Sequence, residues 1–127
     1  MHYDVFNGDA DGICSLVQLR LSNPKNSKLI TGVKRDISLL KKISPVKQDS
    51  VTVLDISMKK NYQEVVDFLK LGVEIFYADH HQSGDLLTHE NFRSHINESS
   101  NICTSLIINK YLSGKYQEWA IVGAYGD

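Results

Sequence analysis

Proline and cysteine each occur only twice in the 127 residues, tryptophan once, and no apolar run approaches the roughly 20 residues that a membrane-crossing helix needs. A membrane-crossing helix is therefore not expected. The N-terminus, Met1-His2-Tyr3-Asp4, has neither the basic stretch nor the apolar core of a secretion signal, so a cytoplasmic location is expected. An excess of one charge is missing too. With 14 Lys+Arg against 15 Asp+Glu, the electrostatic case for a duplex-DNA binder disappears. Cys14 and Cys103 lie within apolar helical patterns and read as small buried hydrophobes rather than as a disulfide. Repeats, linkers and biased segments are absent. A polar tail is also missing: the chain stops at Tyr125-Gly126-Asp127, directly after the apolar Trp119-Ala120-Ile121-Val122. The expectation is a piece of a longer protein, cut at or near a functional residue.

What is present is an alternation of strand and helix patterns in a chain that is 42% hydrophobic, enough for one domain burying about two-thirds of its unfolded surface. His2 to Phe6 is β-prone and is followed by the turn Asn7-Gly8-Asp9-Ala10-Asp11-Gly12. Ile13, Leu16, Val17 and Leu21 then keep helical spacing until Asn23-Pro24. Lys28 to Val33 reads as a second strand, and Asp36 as the cap of a short helix through Ile43 that stops before Pro45. Val51 to Ile56 is a strongly apolar third strand, as expected in the middle of a parallel sheet. Tyr62, Val65, Val66 and Leu69 mark the clearest helix, closed by Gly72. Val73 to Tyr77 is a fourth strand, Arg93 to Ile96 a short further one, and helices follow over about 102–112 and 117–124. Repeated βα units predict an α/β fold: a doubly wound parallel sheet with helices on both faces.

In such sheets ligands bind beyond the carboxyl ends of the strands, where the strand order reverses. The polar clusters fall at those ends: Asp9 and Asp11 after the first strand, Asp55 at the end of the third, and Asp79-His80-His81 after the fourth. An order 2-1-3-4 brings them into one crevice. Carboxylates so gathered repel one another unless a cation intervenes. Carboxylate and imidazole without thiolate suit Mn²⁺ or Mg²⁺, with Zn²⁺, Co²⁺ or Fe²⁺ as alternatives. Asp55, alone at the end of an apolar strand, is the candidate bridge between two ions. Plainer readings stand beside these. Asp9 and Asp11 sit in a Gly-flanked turn where Asp serves as a helix cap, and adjacent histidines in a polar loop are often merely exposed. His2, His89 and His95 lack comparable context. Lys34, Arg35, Lys41 and Lys42 read as a solvated face, and Ile102, Leu106, Ile107 and Tyr111 as core. A nucleotide-binding domain that uses helix N-termini is disfavoured, because the aspartates would repel phosphate.

Asn7-Gly8-Asp9-Ala10-Asp11-Gly12, Leu54-Asp55-Ile56-Ser57, Asp79-His80-His81 and Gly126-Asp127 resemble the four ordered motifs of the DHH phosphoesterase superfamily, over essentially the whole chain. Its members include single-strand-specific exonucleases, oligoribonucleases, cyclic-dinucleotide phosphodiesterases, exopolyphosphatases and family II pyrophosphatases. The resemblance implies a metal-dependent phosphohydrolase with two divalent ions, manganese first, magnesium or cobalt as alternatives. Asp9 would bind one metal, Asp11, His80 and Asp127 the other, and Asp55 would bridge them. His81 would face the scissile phosphate or the attacking water, and Asp79 would orient His80, with Asn7 as a further supporting residue. Implied partners are a phosphate-containing small molecule or a short single-stranded nucleic acid, with no membrane and no duplex DNA. Many members carry a His four residues before the first Asp, where this chain has Val5. Family enzymes also have a C-terminal substrate-clamping domain, so residues 1–127 are expected to be a catalytic domain without that partner and weak or inactive alone. The alternative is a divergent DHH module that binds metal or nucleotide for regulation without turnover.

Overall fold

Side chains of β1 (His2–Asn7) diverge alternately, as the two-residue period of a strand demands: Val5 enters one hydrophobic cluster and Phe6 another. β3 (Ser50–Leu54) and β4 (Glu74–Asp79) do the same, with Val51, Val53, Ile75 and Tyr77 on the Val5 side and Leu54 and Ala78 on the Phe6 side. Together with β2 (Ser27–Gly32) and β5 (Phe92–Ile96) they form a five-stranded parallel sheet in the order β2-β1-β3-β4-β5. The order reverses between β1 and β3, and the short strand foreseen near Arg93 is the fifth. The computed structural model describes residues 1–33, 35–85 and 87–127, so Lys34 of the basic segment lies outside the described residues.

Helices cover both faces. α1 (Ala10–Ser22), α3 (Thr104–Tyr111) and α4 (Gln117–Tyr125) pack on one another over the Phe6 side, whereas α2 (Tyr62–Lys70) packs over the Val5 side with a 3₁₀ turn at Leu39–Lys42. α2 buries Val65, Phe68 and Leu69 and stops where Gly72 takes φ +88°. Gly123 lets α4 close on its neighbours: a Cβ there would sit 2.4 Å from Ser105 Oγ and 3.0 Å from the Cys14 Cβ. Cys14 and Cys103 are buried and free, as their apolar setting suggested.

Two expectations are corrected. The helix capped by Asp36 does not form; the chain makes only the 3₁₀ turn Leu39–Lys42 before Pro45, because too few residues remain to repay helix nucleation. Asp36 instead folds back through a turn from its amide to the Val33 carbonyl and lays its carboxylate against Gly32. The inward residues of α3 are Thr104, Ser105 and Ile108; of those expected as core, Ile107 packs partly buried against the Phe6-side cluster, Leu106 and the preceding Ile102 are half-buried, and Tyr111 is exposed. Tyr111 stacks with Phe76 and His95 beside the sheet, at 5.2 Å and 4.8 Å between ring centroids. Arg35, Lys41 and Lys42 are exposed, as a solvated face requires.

At the amino ends of the strands a second polar group is buried. Asp4 has no exposed surface and accepts from Arg20 Nε at 2.8 Å, Arg20 Nη2 at 2.7 Å and Ser27 Oγ at 2.6 Å, with His2 Nε2 at 3.0 Å. The network joins β1 to the last turn of α1, to β2 and, through Thr52, to β3. It borders a cleft of about 290 Å³ that contains none of the acidic or histidine residues named at the carboxyl ends.

Candidate metal centre

Because β1, β3 and β4 are adjacent and parallel, their carboxyl ends deliver Asp9, Asp55 and the Asp79-His80-His81 run to one side of the sheet. Asn7, Asp9, Asp55, His80, His81 and Asp127 line one cleft of about 340 Å³, shared with Ser57 and Ile37. Asp11 lies behind it, fully buried. The chain thus gathers the candidate residues, though by unequal means.

Asp9 caps α1, its carboxylate accepting from the Gly12 amide at 2.9 Å, and the Asn7 side chain in turn accepts from the Asp9 amide at 3.3 Å. The capping role foreseen for this turn is thereby realised at Asp9. Asp11, on the first turn of α1, accepts from the amides of Thr104 and Ser105 at 3.1 Å and 2.7 Å and so satisfies the start of α3. Asp55 adopts φ +62°, a left-handed conformation that an Asp tolerates better than most residues and that stores strain at this point of the sheet.

His80 holds the arrangement together. Its Nε2 lies 3.1 Å from Asp55, 3.6 Å from Asp11 and 3.7 Å from Asp127, so one imidazole nitrogen is ringed by three carboxylates. Asp79 does not orient His80. Its Oδ1 bonds His81 Nδ1 at 2.6 Å, in the turn that leaves β4. The other oxygen, Oδ2, is buried without a hydrogen-bond partner among the described residues. Val5 is fully buried in the opposite core, so that position supplies no ligand.

The protonation states reflect this crowding. Burial, aided by the charges of Asp11 and Asp9 and opposed by His80, pushes the Asp55 carboxyl up to about 7. The hydrogen bond to Asp55, with the charges of Asp55, Asp127 and Asp11, lifts the His80 imidazole to about 9 against the effect of burial. His81 is raised by its bond to Asp79. Both Asp55 and His80 therefore bind protons more tightly folded than unfolded. The stabilisation this brings is complete at low pH, is lost for Asp55 between about pH 4 and 7, and is lost for His80 as pH rises from about 6.5 through 9. In chelator, the melting temperature of the protein is expected to fall as pH is raised from 5 to 9. With saturating Mn²⁺ the fall should flatten or reverse, since the ion takes the place of the protons. A melting temperature that rises with pH in chelator would contradict this picture.

The donor set fits a divalent ion. Ligand atoms of Asp55, Asp79, His80 and His81 lie within 4.8 Å of one another, as do those of Asp11, His80 and Asp127. All are oxygen or imidazole nitrogen, the buried Asp79 Oδ2 lacks a partner among the described residues, and an imidazole tip occupies the point where three carboxylates call for positive charge. Asp9 lines the cleft but belongs to neither of these groups among the described residues.

The family model described as DHH family, N-terminal domain, matches residues 3–124. The chain belongs to the DHH family. Among solved structures this DHH domain is similar to exonuclease RecJ bound to manganese, with TM-score 0.54 and 18% sequence identity over 98% of this chain. At that identity the likeness speaks for the fold, and the chain spans 37% of the length of that protein. No curated protein matches the chain by sequence.

Thr104 was not singled out in the sequence, yet its hydroxyl donates to Asp55 Oδ1 at 3.1 Å. Asn61 was also passed over. It is fully buried, donates to the carbonyls of Ile37 and Ser57 at 2.6 Å and 2.8 Å, and so ties together two loops that line the cleft. Cys103-Thr104-Ser105 at a helix start carried a weak capping signal. Asn61 carried none.

Proposed function

We propose that residues 1–127 are the catalytic domain of a metal-dependent phosphohydrolase that cleaves a phosphodiester or phosphoanhydride, with short oligonucleotides or dinucleotides as the favoured substrates. The observation that supports this most directly is His80 Nε2 ringed by Asp11, Asp55 and Asp127 at 3.1 to 3.7 Å. Asp11, Asp55, His80 and Asp127 would hold one divalent ion, and Asp9 with Asp55 a second. Bound there, such ions supply the Lewis acidity that activates a water at neutral pH and offsets the charge developing on phosphate oxygens. Manganese is the first choice, since the structurally similar exonuclease RecJ is described with it.

The remaining roles belong to the chain. His81 is half-buried in the cleft with Nδ1 engaged by Asp79, which leaves Nε2 for a phosphate oxygen or the attacking water. Asp79 keeps that ring oriented and its proton in place. Family enzymes carry a further substrate-clamping domain and these residues span 37% of the length of the structurally similar exonuclease, so turnover by this domain alone is expected to be weak. A regulatory module that binds metal without turnover is the second reading. It is favoured by Val5 in the core and by Asp9 standing apart from the ligand clusters.

The test is an assay with Mn²⁺ against a short RNA, a cyclic dinucleotide, pyrophosphate and polyphosphate, beside Asp55→Ala. Hydrolysis of one substrate class by the wild type alone supports the enzyme. Equal rates in wild type and variant sink it. Metal counting by mass spectrometry separates the readings, with two equivalents of ion for the enzyme and one or none for the regulatory module.

A further inference from the structure

Asp11 and Asp55 reach the centre from different segments, one on the first turn of α1 and one after β3, yet both carboxylates end on the same residue. The Thr104 amide donates to Asp11 Oδ2 at 3.1 Å while its hydroxyl donates to Asp55 Oδ1 at 3.1 Å. Thr104 is fully buried. We propose that Thr104 is a positioning residue of the centre, setting the spacing of the Asp11 and Asp55 carboxylates so that both can take a divalent cation. The proposal rests on the metal-dependent reading above.

Three features make Thr104 suited to this. As the first residue of α3 it has an amide without an intrahelical acceptor, and Asp11 supplies one. At the same position there is no preceding helical turn whose carbonyl would claim the hydroxyl, so it is free to reach across to β3. The β-branched side chain is stiff about its first torsion, which fixes the hydroxyl direction once the methyl is packed. The bond matters because of what it leaves over. Thr104 and His80 both meet Asp55 on Oδ1, so the carboxylate is kept from rotating while its other oxygen retains acceptor capacity. The Ser105 amide completes the hold on Asp11 from the same helical turn, at 2.7 Å. Partners that orient ligands in this way commonly contribute ten- to a hundredfold in metal affinity.

Thr104→Val removes the hydroxyl at constant shape and keeps the amide that serves Asp11. Thr104→Ser keeps the hydroxyl and drops the methyl. Mn²⁺ is titrated into chelator-stripped wild type and both variants, with free Mn²⁺ read by electron paramagnetic resonance and folding checked by circular dichroism. Thr104→Val is expected to raise the Mn²⁺ dissociation constant about tenfold or more, and Thr104→Ser by no more than about threefold. Should Thr104→Val fail to fold, Thr104→Ala takes its place with the same expectation. Wild-type affinity in Thr104→Val overturns the proposal. Equal weakening in Val and Ser variants also overturns it, since packing of the methyl would then be the contribution. A wild type that takes up no Mn²⁺ overturns instead the metal reading beneath it, so the two failures are told apart by the wild-type titration alone.

Discussion

Asn in place of Asp55 is expected to lower Mn²⁺-dependent hydrolysis by at least about a thousandfold while leaving the fold intact. Asp55 directly follows the central strand, meets His80 at 3.1 Å and is the one carboxylate proposed to meet both ions. Asn matches its shape and tolerates the same left-handed backbone at φ +62°, so local geometry is retained and charge alone is lost. The folded carboxyl is pushed up to about 7 by burial and by its acidic neighbours, which means that its ionised form costs stability above that pH. The metal-free Asn variant should therefore melt no lower than the metal-free wild type at pH 8. Rates and melting curves together check both halves, and a variant with wild-type rates removes Asp55 from the chemistry.

Asp4→Ala is expected to be the most destabilising change at the other end of the sheet, costing about 3–5 kcal/mol in urea unfolding. The carboxylate is fully buried, and its loss strands the Arg20 guanidinium without its counter-charge. Burial raises the Asp4 carboxyl, but hydrogen bonds from Arg20, His2 and Ser27 outweigh it and hold the group well below the usual carboxylate range. A folded value below the unfolded one, near 3.9, gives stability that is full above about pH 4 and is lost as the pH falls further. The wild type should thus lose stability steeply below pH 4, and Asp4→Ala should show a shallower loss. A cost under about 1 kcal/mol would show that the network is dispensable. Mn²⁺ affinity of the folded variant should stay as in wild type, because Asp4 and the proposed metal ligands lie at opposite ends of the strands.

These two aspartates show what a sequence discloses unevenly. Asp55 was legible because a lone carboxylate after Val51, Thr52, Val53 and Leu54 conflicts with its apolar surroundings, and such conflict marks function. Asp4 was not, because in the pattern of β1 it resembles any polar residue of an alternating strand; its burial depends on Arg20 arriving from the end of α1. The same contrast runs through the loops. Asp36 carries a good capping residue type, but the stretch before Pro45 is too short for a helix, and the close approach at Gly32 takes the side chain elsewhere.

By itself the sequence determined the periodicities that make strands and helices, the parallel α/β architecture they compel, and the placing of Asp9, Asp55, Asp79, His80 and His81 at strand ends. Those are short-range matters, set by spacing and by residue type. Which partner each group meets was decided only by tertiary structure. The approach of α3 gave Asp11 its two amides and Asp55 the Thr104 hydroxyl. The physical reason is that a hydrogen bond demands positions correct to a fraction of an ångström between residues 49 to 94 apart in the chain. Only the packed helices and sheet supply that precision.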